Sequence, residues 1–275
     1  MKITILGQGA MGSRMADRLE AAGHAVTRWN RSGAQQTPRA AVAGAELVLA
    51  MLRDDDASRC VWLDNADGAL AAMDAGAVAV ESSTLTVDLV RELGQRAAAR
   101  SIAFLDAPVL GSRPQAEAGQ LIHLVGGELA VLDSIRPVLA AMGASQLHAG
   151  PVGAGAALKL VANALFGVQV ALVAELLGRL PALGLEPALA LELLGQTPVL
   201  SLAAKGASAL MLAGRDDPLF PVDLVAKDFD YALQSAADAM PLTAAAADVF
   251  ARAVDAGLGN RNLTVVERLY RVTGG

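Results

Sequence analysis

The sequence predicts an α/β domain with a doubly wound, mainly parallel sheet over residues 1–152, then an all-α domain over residues 153–275 that begins with a long interdomain helix. Three observations carry this. Up to residue 150, short β-rich runs alternate with Ala-rich helical stretches, the order of a parallel sheet with crossover helices. The strand runs are aliphatic, as expected where both faces of a sheet are covered. After "AGPVGAG" the β signal stops, and nearly everything reads helical between Pro181, Pro187, Pro198, Pro218 and Pro241.

In chain order, "KITIL", "AVTRW", "ELVLAML", "GAVAVES", "IAFLDAP" and "LIHLVGG" read as strands, and "SQLHAG" as a weaker one. Helical patterns between them include Met11–Ala22, Thr86–Arg100 and Leu129–Met142. The chain is 54% hydrophobic but only 3% aromatic, so its cores must be built from aliphatic residues and closely packed Ala.

The first strand runs into Gly7-Gln8-Gly9-Ala10-Met11-Gly12, and a helix follows. A bare GxGxxG says little in a Gly-rich chain; between a strand and a helix, within a βαβ-sized unit, it says much more. Gly7 permits the tight turn, Gly9 lets the backbone approach a pyrophosphate, and Gly12 allows close helix–strand packing. The helix start then offers free N–H groups and partial positive charge to the phosphates. A site for NAD would place an Asp or Glu at the end of the second strand, on the ribose 2′-hydroxyl. Here Trp29-Asn30-Arg31-Ser32 stand instead, with Arg28 close by. A guanidinium beside small amide and hydroxyl donors suits a 2′-phosphate, so NADPH (NADP+) is expected over NADH.

Net charge is -6 with a pI near 5.1, which argues against a partner among nucleic acids or anionic membranes. The single Cys60 excludes an intramolecular disulfide, and it reads as a small, partly buried apolar residue. His24, His123 and His148 show no metal-ligand spacing, so no metal is expected. With neither a signal peptide nor a second long apolar segment, a soluble cytoplasmic protein is expected.

"GAGAALKLVANALFGVQVALVAELLG", Gly153 to Gly178, has roughly the length of a membrane span. Much of its apolar character is Ala and Gly, however, and it reads better as a buried helix. Within it, Lys159 and Asn163 are four apart and share one helix face. A lysine there either runs its stem out to water or performs chemistry. The helix is apolar on nearly all sides and roughly 35 Å long, so a second copy of the chain is expected to cover it.

Four stretches, "GQGAMGSRMADRLEAAGHAVTRWNR", "DAPVLGSRPQAEAGQLIHLVGG", "GAGAALKLVANALFG" and "FPVDLVAKDFDYAL", resemble the signature regions of the β-hydroxyacid dehydrogenases, in order and along essentially the whole chain. That family includes 3-hydroxyisobutyrate dehydrogenase, tartronate semialdehyde reductase and glyoxylate/succinic semialdehyde reductases. The resemblance implies a Rossmann domain joined by a long helix to an all-α domain, an active site in the cleft between them, and a homodimer or homotetramer built on the helical domains. Lys159 matches the family's catalytic lysine. Asn163 matches the second Asn of Lys-x-x-Asn-Asn, whose first is Ala162 here. Thr84 matches the Ser-Thr beside the nicotinamide, Leu52 and Arg53 the Leu-Pro bordering the cofactor, and Lys227 the lysine near nicotinamide and substrate. The loop that grips a substrate carboxylate reads Asp-Ala-Pro-Val-Ser-Gly-Gly in the family. Here Leu110 replaces its Ser, Gly111 is kept, and Ser112 replaces the last Gly, which changes the expected substrate contacts.

The residues then take roles. Lys159 stabilises developing alkoxide charge and donates the proton as general acid, or removes the alcohol proton in reverse, with a pKa lowered by its apolar surroundings. Asn163 holds the amine or the substrate oxygen. Ser112 and the backbone at Gly111 can donate to an anionic group, and Arg113 can add charge there. Lys227 is either a second cation or an ordinary helix-surface lysine; Glu175 and Asp228 read as helix-surface or interface charges. The expected activity is NADPH-dependent reduction of a small aldehyde or keto acid, such as a semialdehyde or glyoxylate. Two alternatives are an imine reductase, against which the retained lysine argues, and a non-catalytic NADPH-binding or scaffold protein.

Overall fold

A computed structural model describes residues 1–32, 37–236 and 238–271. It divides the chain into two units, Met1–Lys159 and Leu160–Gly275. The first begins with β1 (Lys2–Leu6), α1 (Gly12–Ala21), β2 (Ala25–Trp29), α2 (Pro38–Ala41), β3 (Leu47–Ala50), α3 (Asp55–Leu63), β4 (Val78–Glu81), α4 (Val87–Ala98) and β5 (Ala103–Asp106). It continues with β6 (Val109–Leu110), α5 (Arg113–Glu117), β7 (Leu121–Gly127), α6 (Leu129–Met142) and β8 (Gly143–Gly150).

Side-chain oxygens of Thr37, Asp54 and Thr86 cap α2, α3 and α4. Such caps satisfy the orphan N–H groups of a helix start and fix where each helix begins. Strand order in the eight-stranded sheet is β2-β1-β3-β4-β5-β7-β6, with β8 paired to β7. The first five strands are parallel, β7 runs antiparallel to β5, and β8 runs parallel to β7. The doubly wound, mainly parallel sheet is therefore as predicted. Two-residue β6 was not expected: too short to carry an aliphatic run, it exists because Val109 and Leu110 pair with His123 and Ile122. Ile3, Ile5, Leu49, Val80 and Leu105 from the strands pack with Met15, Leu19, Leu132 and Leu139 from the helices to form its core.

Helix α7 (Ala154–Leu177) leaves the first unit and enters the second. The second adds α8 (Pro187–Leu194), α9 (Leu202–Leu212), α10 (Val222–Gln234) and α11 (Pro241–Asp255), and apart from an isolated bridge between Pro221 and Asn262 its described residues hold no strand. The rings of Phe229 and Phe250 stack 5.5 Å apart between α10 and α11. Gly167 makes room for them, since a Cβ there would lie 2.6 Å from the Phe229 ring.

Candidate active site

The glycine turn is built as its spacing requires. Gly7 adopts φ +104°, and a Cβ on it would sit 2.3 Å from the Met51 carbonyl oxygen. A Cβ on Gly12 would meet the Gly7 carbonyl at 2.1 Å, so α1 can approach β1 only without one. Gly9 differs: a Cβ there meets nothing within 4 Å, which leaves open space where a pyrophosphate would lie. Neither a side-chain cap nor an acidic residue occupies the first turn of α1, where Ser13 N–H turns back to the Gly9 carbonyl at 3.2 Å, and the positive end of the helix favours an anion. Gln8 turns its amide onto the Ile5 and Gly7 carbonyls, and Ala10 accepts from Arg14. The residues thus fit a dinucleotide.

At the end of β2, Asn30, Arg31 and Ser32 are exposed, and Asn30 donates to the Ser32 hydroxyl at 3.2 Å. Arg28 does not belong with them. Asp17 holds it at 2.6 Å and Glu20 at 2.7 Å, and these carboxylates push its pKa up. Arg28 is close to them in sequence, but its guanidinium is engaged by the acidic face of α1.

The ends of β3 and β4 are tied together. Leu52 N–H donates to Ser83 Oγ at 2.7 Å, and Ser83 N–H donates to Glu81 Oε1 at 2.8 Å. Glu81 is fully buried and also accepts from Trp62 Nε1 and Ser58 Oγ. Burial pushes its pKa up, and these donors pull the other way. Thr84 follows half-buried, whereas Arg53 is exposed beside Asp54.

Beyond β5, Gly111 turns the chain at φ +114°, a left-handed conformation that favours glycine. Ser112 begins α5, and its N–H donates to Gln115 Oε1 at 2.9 Å. Leu110 and Arg113 are half-buried on either side.

Lys159 and Asn163 both lie on α7, the lysine half-buried and the asparagine buried. Buried Asp106, at the end of β5, anchors the start of this helix. Its two oxygens accept from Gly153 N–H and Ala156 N–H, each at 2.8 Å. Burial pushes the Asp106 pKa up, against the pull of those N–H groups. Glycine is required around it, because a Cβ on Gly126 or Gly155 would come within 2.8 Å of the carboxylate.

In the helical unit, Asn163 Nδ2 donates to Asp228 Oδ2 at 2.5 Å, and Lys227 Nζ lies 2.8 Å from Asp228 Oδ1. Lys227 also stands 4.3 Å from the Tyr231 ring centre. Two expectations change here. Asp228 is a buried partner of Asn163, not a surface charge, and Lys227 is only 16% exposed. A signal was present: Val222, Val225, Phe229 and Ala232 are the buried stripe of α10, and residue 228 lies on it by helical spacing. Glu175 is exposed, as expected. Cys60 is exposed on α3 rather than partly buried, because Ser58, Val61 and Trp62 form that helix's inner face. Asp106 and Glu81 escaped sequence reasoning, since nothing local marks a carboxylate whose partners lie 47 or 23 positions away.

Known proteins share this arrangement. The pattern of the NAD binding domain of 6-phosphogluconate dehydrogenase matches residues 2–150. That described as the NAD-binding of NADP-dependent 3-hydroxyisobutyrate dehydrogenase matches residues 153–270. The NAD-dependent L-serine dehydrogenase of Pseudomonas aeruginosa is 31% identical over 100% of this chain and 99% of its own. Glyoxylate/succinic semialdehyde reductase 2 of Arabidopsis thaliana is 33% identical over 97% of this chain and 78% of its own. The structure of Mycobacterium tuberculosis 3-hydroxyisobutyrate dehydrogenase with L-serine superposes with a TM-score of 0.89, at 28% identity, over 98% of this chain and 99% of that one.

Proposed function

The chain belongs to the β-hydroxyacid dehydrogenases, NAD(P)-dependent oxidoreductases, and from that premise we propose that it reduces a small aldehyde or keto acid with NADPH, using Lys159 as general acid. The observation that carries this reading is the placement of Lys159 on α7, three residues beyond an N–H that the buried Asp106 carboxylate holds.

A nicotinamide cofactor held at the Gly7–Gly12 turn would supply hydride chemistry at a carbonyl carbon. The chain has to meet the negative charge that then develops on oxygen. Lys159 can do so as an ammonium group and complete the reaction by giving up a proton; in the oxidative direction the neutral amine takes the proton from the alcohol. Asn163, oriented by Asp228, presents its remaining polar atoms along the same helix face without adding a charge. Leu110 offers no hydroxyl to a substrate, so recognition of an anionic group falls to Ser112, Arg113 and the backbone at Gly111. Exposed Arg31, beside the Asn30–Ser32 pair and with no carboxylate at this strand end, supports the NADPH preference.

A second copy of the chain, docked through the helical unit, completes the proposal. Val161, Leu165, Leu172 and Leu176 of α7 are exposed in the single chain. A cytoplasmic location accords with these small-molecule partners.

The test is a panel followed by NAD(P)H absorbance: glyoxylate, succinic semialdehyde and cyclic imines in reduction, 3-hydroxyisobutyrate and L-serine in oxidation, each with both cofactors. Fastest turnover of a semialdehyde or glyoxylate with NADPH is expected. Turnover of imines alone, or of L-serine with NAD alone, would overturn the substrate or cofactor half respectively.

A further inference from the structure

We propose that Glu81 is a positioning residue which, through Ser83, sets the two loops that border the nicotinamide half of the cofactor. The inference rests on the dinucleotide reading of the glycine turn, and it follows from strand order and one hydrogen-bond chain.

Strand order places the halves of the cofactor. In a doubly wound sheet the pyrophosphate lies at the start of the helix after β1, and the adenosine ribose lies over the end of β2. With β1 between β2 and β3, and β4 beyond β3, the other half of the dinucleotide must extend across the ends of β3 and β4. The loops at those ends contain Leu52, Arg53, Ser83 and Thr84.

Neither loop is held at its tip by the ordinary ladder alone. Ser82 N–H still donates to the Ala50 carbonyl at 2.9 Å, but one residue further the strands diverge and side chains take over. Leu52 N–H donates to Ser83 Oγ, and the N–H of the same serine donates to Glu81 Oε1 at 2.8 Å, so the carboxylate sets where that hydroxyl stands. Trp62 Nε1 at 2.7 Å and Ser58 Oγ at 2.5 Å hold the other carboxylate oxygen, and α3 thereby fixes the orientation of the group. A buried carboxylate that accepts from three groups on two segments, α3 and the residues after β4, is an aiming device: its position decides where the Ser83 lone pair meets Leu52. Asp55 adds a second fastening, taking Thr86 N–H at 3.0 Å and its hydroxyl at 2.5 Å. Thr84 stands between the two ties, so its backbone has little freedom.

Glu81→Gln keeps the shape but turns an NH2 group towards either the Ser83 N–H or the Trp62 indole N–H, both of which can only donate, and so breaks the chain at its root. Ser83→Ala removes the middle link and leaves Glu81 held by Trp62 and Ser58. Ser83→Thr restores the hydroxyl. The readout is affinity for matched ligands with and without the nicotinamide ring: NADPH against 2′-phospho-ADP-ribose, and NADH against ADP-ribose, titrated calorimetrically. Both Glu81→Gln and Ser83→Ala are expected to weaken the complete dinucleotides roughly tenfold, about the loss of one good hydrogen bond, while the ring-less ligands change less than about twofold. Ser83→Thr should return near wild type. Ser58→Ala removes one of the two donors on the far carboxylate oxygen and leaves Trp62 in place, so it should lower the melting temperature and shift the affinity ratio less than Ser83→Ala does.

Equal weakening of both ligands, no weakening of either, or a ratio shifted as far by Ser58→Ala as by Ser83→Ala would overturn the inference. Should Glu81→Gln fail to fold, Ser83→Ala decides alone. A wild-type protein that bound none of the four ligands would remove the cofactor reading itself, an outcome distinct from loss of the ratio.

Discussion

Leu129 at the start of α6 and Leu172 on α7 are about equally exposed, at 51% and 53%, yet their surroundings differ. In the first unit the exposed large apolar residues, among those described, are Met1, Leu129 and Leu147, scattered singly, and Leu158 on α7, three residues before Val161. On α7 beyond Lys159, Val161, Leu165, Leu172 and Leu176 recur at intervals of four, seven and four, which is one stripe of a helix. Leu189 and Leu193 repeat the spacing on α8. Scattered exposed leucines are ordinary; a stripe is a contact surface. The units also treat charge differently. The first buries Glu81 and Asp106 and surrounds them with donors from its own backbone and side chains. The difference teaches that exposed apolar area is scattered over the α/β unit and gathered into stripes on the helical unit.

The largest expected effect lies at the junction. As the proposed general acid, Lys159 would meet charge that exists only in the transition state, so Lys159→Ala should lower kcat by at least about a hundredfold, with the NADPH dissociation constant changed only a few-fold. Lys159→Arg should rescue little, because a planar guanidinium stays protonated. Near-normal turnover by Lys159→Ala in steady-state kinetics would leave α7 as a packing element alone.

Next comes the stripe. Wild type should run as a dimer or larger by light scattering at micromolar concentration. Leu165→Asp with Leu172→Asp should yield a monomer, since each buried leucine contributes about 1.5–3 kcal/mol. Leu129→Asp, equally exposed but isolated, should leave the assembly intact. If both variants behave alike, the contrast between the units is empty.

The buried charges of the first unit offer a third break. Asp106→Asn keeps the volume but sets an amide NH2 against the N–H groups of Gly153 or Ala156, and should cost on the order of 3 kcal/mol. A urea midpoint lowered at unchanged slope would show it. An unchanged midpoint would mean that α7 is anchored without this carboxylate.

A similar free energy, on a pH axis, comes from His123. Burial in β7 lowers its pKa to about 4. The fold therefore holds it neutral, whereas the unfolded chain protonates it near its ordinary value of about 6.5. Its contribution is full above pH 6.5 and is lost as the pH falls towards 4, about 3 kcal/mol in all. His123→Leu should flatten the unfolding free energy across that window; an unchanged slope would refute the assignment.

The smallest effect belongs to the adenosine end. Arg31→Ala should reduce the NADPH over NADH preference roughly tenfold, as loss of one phosphate–guanidinium pair at an exposed site. NADH affinity should stay almost constant in fluorescence titrations. Equal affinities in the wild type would remove the preference altogether.

The fold class was readable because it depends on local rules. "KITIL" is apolar at a strand's length, Gly7, Gly9 and Gly12 have a turn-specific spacing, and the 24 residues of α7 carry a helix-long apolar run. Lys159 and Asn163 could be paired from sequence because four residues bring side chains together on any helix. Other features depended on chain crossings that no local pattern encodes. Arg28 sits two residues before Asn30 but turns to Asp17 and Glu20 across α1. β6 exists only because β7 lies alongside it. Glu81 and Asp106 look like ordinary carboxylates at strand ends until α3 and the start of α7 close over them. A buried charge is defined by what surrounds it, and for these two the surroundings come from distant stretches of the chain. Sequence could name the groups capable of chemistry; tertiary structure decided which of them are held in place, and by what.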